Sequence, residues 1–257
     1  MKKLVAVILL GIALLGTPSA QNLKSARLQG KVHMIEEETW DLTLKFGEYV
    51  KNKLTDKTTY IYDDKGNMTE WASYNADGSL KEKYIYTYDD KGNLTEEAKY
   101  DADGSLIYKY ISSYDDKGHM TEQIKYDADG SLKEKYIYTY DDKGNIIEEA
   151  TYNADGSLDG KDIYIYDVRG NKTEWASYNA DGSLGLKYIY IYDDKGSLME
   201  VALYNDNRLV DLKYIYTYEY DKFGNWIKQT KSKEVSKFGK VYPEPRYVTI
   251  RTITYYP

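Results

Sequence analysis

Residues 83–106 read KYIYTYDDKGNLTEEAKYDADGSL. Tyr84-Ile85-Tyr86-Thr87-Tyr88 alternates with period two, and so does the run from Leu94 to Tyr100, so each reads as a strand with two unlike faces. Between them, Asp90-Lys91-Gly92 has the composition of a three-residue hairpin loop, a type I turn followed by a glycine in the left-handed conformation. Ala102-Asp103-Gly104 repeats that form. Two strands joined by two matching turns predict an up-and-down meander.

The unit recurs at a constant, even spacing. Turns of the D-D-K-G-N type begin at Asp63, Asp89, Asp115, Asp141, Asp167 and Asp193, and turns of the N/D-A-D-G-S type at Asn75, Asp101, Asp127, Asn153 and Asn179. Continued to the end of the chain, the pattern gives about sixteen strands, more than the roughly ten at which an open twisted sheet curls or splits. The expected fold is therefore all-β: an antiparallel up-and-down meander of tandem β-hairpin repeats, curled into an open spiral or a partly closed barrel. Residues 60–225 form the repeat array. Residues 21–59 and 226–257 depart from the period and read as N- and C-terminal capping strands, as arrays require. The turn Asn205 to Arg208 is shorter than its relatives, which calls for a bulge to restore register. In the tail, Pro243 and Pro245 precede a closing edge strand and discourage further pairing.

Three-residue loops and an even period imply one constant pairing, with Tyr88 opposite Leu94, Tyr86 opposite Glu96 and Tyr84 opposite Ala98. On that register one face collects Tyr, Leu, Ala and one Glu per repeat and turns inward. The other carries Lys83, Ile85, Thr87, Glu97 and Lys99, together with Trp71 and Trp175. Burial must lean on tyrosine, because the chain holds 31 Tyr against 3 Phe at a mean hydropathy of -0.70.

The first twenty residues carry Lys2 and Lys3, an apolar run from Leu4 to Leu15 and the small-residue zone Gly16 to Ala20. That is the layout of a signal peptide, so residues 1–20 are expected to be removed on export from a bacterial cytoplasm. The mature protein is then periplasmic, surface-exposed or secreted. The whole chain has a net charge of -7, and loss of the two leader lysines takes it to about -9, a balance that argues against nucleic acid as a partner. Neither face offers the continuous apolar band of a lipid-spanning barrel, so no membrane span is expected after leader removal.

The pattern Y-x-Y-D-x-x-G-N-L/M-T-E followed by Y-x-A-D-G-S-L resembles the YD repeats of the Rhs family over about Tyr60 to Asn225. The resemblance implies hairpins that wind into a shell, in proteins that are typically large and secreted or surface-bound. In some of them the shell encloses a toxin, and others are described as carbohydrate-binding. This chain is shorter, and Asn rather than Arg follows the turn glycine.

Among candidate ligand-binding residues, the repeated carboxylates Glu70, Glu96, Glu122, Glu148, Glu174 and Glu200 come first. On the constant register Glu96 lies between Tyr86 and Tyr110, where phenols either hold a binding carboxylate or simply satisfy a half-buried polar seam. Trp71 and Trp175, read as exposed, are suited to stacking on a sugar ring or to local packing. No catalytic residues stand out: acids are everywhere and equivalent, and no nucleophile is paired with a base, so no enzyme activity is expected. The D-A-D-G-S turns lack the further ligands of an EF-hand loop, and His33 and His119 are remote in sequence with no cysteine to join them, so neither a metal nor another cofactor is expected. The leading expectation is an exported, non-enzymatic YD-repeat scaffold that binds a protein partner or itself at the envelope or outside it. The alternative is a carbohydrate-binding module using the Tyr/Glu face or the Trp residues, and the weaker one is a toxin-associated shell or immunity role.

Overall fold

The turns form as their residues dictate. The Asp63 N–H donates to the Asn67 carbonyl at 2.9 Å and the Gly66 N–H to the Asp63 carbonyl at 3.0 Å, with Gly66 at φ 87°. The Asp63 carboxylate accepts the Lys65 and Asn67 backbone N–H groups at 3.0 and 2.8 Å, and Asn67 Nδ2 at 3.0 Å. This set recurs at Asp89, Asp141 and Asp167. Asp and Asn are thus consumed by turn chemistry.

Just past each loop the ladder slips by one residue. Tyr88 faces Leu94, but Thr87 faces Glu96 and Tyr86 faces Glu97, so Thr95 is an extra residue. Its hydroxyl donates to the Thr87 carbonyl at 3.1 Å, and Thr69, Thr121 and Thr173 do the same to Ile61, Ser113 and Ile165. The second loop is followed by its own slip: Tyr100 faces Leu106 while Lys99 faces Tyr108. Each bulge flips the side-chain parity. Two flips in every repeat cancel between copies, but within a copy neighbouring strands exchange faces. The expected pairs Tyr86–Glu96 and Tyr84–Ala98 therefore do not form; Tyr86 pairs with Glu97 and Tyr84 with Lys99.

The computed structural model describes residues 28–257, without 206 and 207. Residues 1–20, where the sequence predicts a signal peptide, lie outside the described part. Sixteen antiparallel strands follow in order: β1 Val32–Lys45, β2 Glu48–Tyr62, β3 Met68–Tyr74, β4 Leu80–Tyr88, β5 Leu94–Asp101, β6 Leu106–Tyr114, β7 Met120–Asp127 and β8 Leu132–Tyr140. The second half comprises β9 Ile146–Asn153, β10 Leu158–Tyr166, β11 Lys172–Asn179, β12 Leu184–Tyr192, β13 Leu198–Asn205, β14 Arg208–Tyr220, β15 Trp226–Lys237 and β16 Lys240–Tyr255. Each pairs with its sequence neighbours, and β1 pairs with β16 from Val32–Tyr255 to Asp41–Tyr247, so the sheet closes into a barrel. The terminal segments expected to be caps are the two sides of the closing seam. At the shortened turn, the β13–β14 ladder slips between Ala202 and Leu203.

The inward face carries Tyr84, Tyr86 and Tyr88 and their counterparts, of which Tyr62, Tyr138, Tyr164, Tyr188 and Tyr216 are buried. The last inward tyrosine of a repeat reaches across to the preceding hairpin. The hydroxyls of Tyr88, Tyr114, Tyr140 and Tyr192 donate to the carbonyls of Met68, Leu94, Met120 and Lys172 at 2.6 to 2.8 Å, and Tyr218, which Tyr220 follows in the longer β14, donates to the Leu198 carbonyl at 2.9 Å. Tyrosine therefore supplies ring burial and a backbone partner at once, which phenylalanine cannot. At the seam Tyr256 donates to the Tyr62 carbonyl at 2.7 Å, continuing the stitch across the junction.

Two hairpins overrun the barrel. The β1–β2 and β15–β16 turns lie at the rim of the A-D-G turns, since every odd-to-even connection of the meander falls there. Beyond Asp41, β1 has only β2 as partner, and before Tyr247, β16 has only β15. Pro243 and Pro245 lie in that overrun, where β1 draws no further bonds on them. Both arms end in two-residue turns, Phe46-Gly47 and Phe238-Gly239, with φ 52°, 88°, 52° and 73°. Such turns favour Asn-Gly, and an aromatic at positive φ costs on the order of 1 kcal/mol.

Candidate functional site

The bulges decide what the interior holds. The repeated carboxylates of the sequence reading lie on the outer face, a correction to the expected placement. There Glu70, Glu96, Glu148 and Glu174 meet Lys83, Lys109, Lys161 and Lys187 at 4.0, 3.0, 3.2 and 2.8 Å, and Glu122 meets Lys135. Glu200, one repeat further on, occupies the same position opposite Ile215. Beneath this ladder sit small residues: Ala98 is buried between Ile85 and Lys109 on the adjoining strands, and Ala72, Ala150, Ala176 and Ala202 are buried likewise. Half-exposed ion pairs of this kind contribute little individually. Glu96→Gln is expected to cost less than about 1 kcal/mol in urea unfolding, with the fold unchanged.

The inward position of each repeat is the residue after that Glu. Reading round the barrel it is Trp71, Glu97, Gln123, Glu149, Trp175 and Val201, each between flanking strands of tyrosine-bearing repeats. Trp71 and Trp175 thus face inward rather than outward, packed on Tyr84 and Tyr188 with ring centroids 5.3 and 5.2 Å apart. Tyr86 and Tyr110 do flank a carboxylate as expected, but it is Glu97. The sequence reading missed Glu97 and Glu149. The signal was present, because five of the outer Glu residues precede their Lys by an odd number of positions, as Glu96 does Lys109, and such a pair forms only if parity flips between them.

Glu97 is 2% exposed, and its Oε2 has no hydrogen-bond partner. Burial alone pushes its carboxyl up to about 8. Gln123, its counterpart one repeat on, is equally buried and hydrogen-bonded, donating to Ser112 Oγ at 3.2 Å and accepting from Tyr138 at 3.4 Å. Glu149 accepts from the Tyr164 hydroxyl at 3.3 Å and faces Asp162 across the strands. Burial, with repulsion from Asp162, raises its carboxyl to about 8. Lys172 lies 4.2 Å from the Tyr164 ring centroid, and burial lowers its ammonium to about 8 against the pull of Glu149 and Asp162. Further round, Lys99 pairs with Glu82 at 2.7 Å and Lys125 with Glu134 at 3.0 Å, and the Tyr84 and Tyr108 hydroxyls share a hydrogen bond at 3.1 Å. The interior is thus a tyrosine lining with acids and lysines set into it.

At the rim of the D-x-x-G-N turns the lining opens into a cavity of about 650 Å³. Its inward walls are Tyr218, Trp226, Gln229 and Arg251, and Leu28 and Phe223 border it. Arg251 is fixed from two sides: Nε donates to Glu37 Oε1 at 2.6 Å, and the guanidinium lies 3.3 Å from the Trp226 ring centroid. Gln229 donates to the Tyr218 hydroxyl at 3.1 Å. The cavity thus presents four aromatics, Tyr218, Tyr220, Phe223 and Trp226, with an amide and a held guanidinium, a set suited to a polar ligand with hydroxyl groups. The seam closure creates it, so no single repeat encodes it.

No family model matches the chain, and no curated protein does. Among solved structures, a porin-like protein from Bacteroides uniformis superposes with TM-score 0.58 at 13% identity, covering 88% of this chain and 99% of that one. The likeness is one of fold. The structure of TcdB2-TccC3 without its hypervariable C-terminal region is matched over 80% of this chain but only 12% of its own, at 15% identity and TM-score 0.31, too loose a superposition to carry an argument. Among the described residues no helix is long and apolar enough to cross a membrane, and no group of three or more acids or histidines is placed to hold a metal ion. His119 fills the turn position of Asn, its ring stacked 4.8 Å from Tyr140, and the His33 ring lies tilted against Tyr256 at 4.6 Å.

Proposed function

We propose that this chain is a non-enzymatic binding barrel of the YD-repeat kind, exported to the bacterial envelope or beyond, that receives a saccharide unit in the rim cavity. The observation that carries this reading is the cavity itself, where Trp226 and Tyr218 line the space beside the hydrogen-bonding groups of Gln229 and Arg251. The scaffold reading draws on the regularity of the outer face, where an ion-pair ladder repeats from one copy to the next. That ladder also speaks against a lipid-facing outer surface, which needs an apolar band. A shell around a toxin is disfavoured, because the inward space is occupied by the protein's own rings, with Tyr62, Tyr138, Tyr164 and Tyr216 buried.

The test is a screen of the purified mature protein against polysaccharides and envelope extracts, with its mass in solution measured alongside. The proposal expects saturable binding of a defined glycan, weakened at least tenfold by Gln229→Ala in a protein whose β-sheet circular dichroism is unchanged. Binding to a protein alone, with no glycan retained, contradicts the saccharide reading and leaves the scaffold reading standing.

A further inference from the structure

The chain spends two of its three phenylalanines where they bury nothing. Phe46 and Phe238 are 106% and 105% exposed at the tips of the two overrunning hairpins, whereas Phe223 packs against Tyr255 at 4.7 Å. Both tips read Lys-Phe-Gly, as Lys45-Phe46-Gly47 and Lys237-Phe238-Gly239. Each Phe holds positive φ, a conformation in which Asn or Gly fits at lower cost. A local rule broken twice in the same way, with no packing gained, marks a position kept for something outside the fold.

The surroundings state the chemistry. Behind the tips stand further exposed apolar side chains, Leu44 cross-strand from Tyr49 and Val241 beside Tyr242. Between them, residues 44–51 and 236–242 carry four lysines and one glutamate, in a chain whose net charge is -7. The two arms belong to four consecutive strands, β15, β16, β1 and β2, and project from the same rim. Strand geometry puts their tips roughly 15 to 25 Å beyond the last bond between β1 and β16. Aromatic ends flanked by lysines suit the interface of an anionic bilayer, where rings enter the headgroup boundary and ammonium groups meet lipid phosphates.

We propose that the paired Lys-Phe-Gly hairpins dock the barrel peripherally on an anionic lipid surface. The contact is independent of the rim cavity, which lies at the opposite end.

The test is cosedimentation of the mature protein with vesicles of phosphatidylcholine alone and with vesicles in which a third of the lipid is phosphatidylglycerol, at low and high salt. Binding is expected only to the anionic vesicles, with release at high salt. The double variant Phe46→Asn with Phe238→Asn suits both turns, so it folds, and it is expected to lower vesicle binding roughly tenfold or more. The proposal is overturned by no binding to anionic vesicles, by binding that the double variant leaves unchanged, or by binding that resists high salt, as an integral barrel would show. It is equally overturned if the tips are found to join two copies, read as a dimer in solution that the double variant converts to monomer. Each of these results leaves the glycan measurement untouched.

Discussion

Replacing Glu97 by glutamine is expected to stabilise the protein at pH 8 by a few kcal/mol and to flatten its stability between pH 5 and pH 8. The carboxyl titrates near 4.5 when unfolded and is pushed up to about 8 in the barrel, so the native state holds a proton that the unfolded chain gives up. Stability contributed by such a group is present at low pH and declines as pH rises from the unfolded to the folded value. Each pH unit of that gap is worth about 1.4 kcal/mol. Gln123 shows that the amide is accommodated at the equivalent site with its hydrogen bonds made. Glu149, raised by burial and by Asp162, adds a second slope of the same sign and remains in the variant. Lys172 and Lys231, both lowered by burial to about 8, stay largely charged through most of this window and contribute little to its slope. Urea unfolding at pH 5, 6.5 and 8 measures the effect; an unchanged slope in Glu97→Gln would place that side chain in water.

Arg251→Ala is expected to cost about 3 to 5 kcal/mol, because it leaves the buried Glu37 carboxylate without its cation. The pair spans the closing seam, Glu37 on β1 and Arg251 on β16 facing each other in register. Tyr60 also donates to Glu37, at 3.3 Å, and one neutral hydroxyl does not replace a guanidinium. Loss of the ring contact with Trp226 adds to the cost. Combining Arg251→Met with Glu37→Gln removes both charges and is expected to recover most of the stability, as buried pairs replaced together commonly do. Thermal unfolding of the single and double variants checks this, and a single variant as stable as the parent would mean that the seam is open to solvent.

Much of the fold was legible because it is local. Alternation within Tyr84–Tyr88 and Leu94–Tyr100, and the Asp and Gly of each turn, specify strands and loops without reference to distant residues. The parity of the faces was not legible from loop length, since a bulge after each loop changes pairing while leaving turn composition untouched. Both alternating sets of β5 contain a glutamate, so amphipathicity did not decide between Glu96 and Glu97. Closure was illegible for another reason: the Val32–Tyr255 and Glu37–Arg251 contacts join opposite ends of the chain, where the repeat breaks down. The rim cavity inherits that difficulty, drawing Trp226, Gln229 and Arg251 from the irregular seam.

The bulges turn Glu97 inward and Glu96 outward, and the absence of native cysteine makes this directly measurable. Glu96→Cys and Glu97→Cys, each made alone, are treated with a maleimide reagent under native conditions and again in urea. Rapid native labelling is expected at position 96 and at least a hundredfold slower labelling at position 97, with equal rates once unfolded. Protection at 96 and rapid reaction at 97 would restore the constant register and contradict the arrangement of the interior described above.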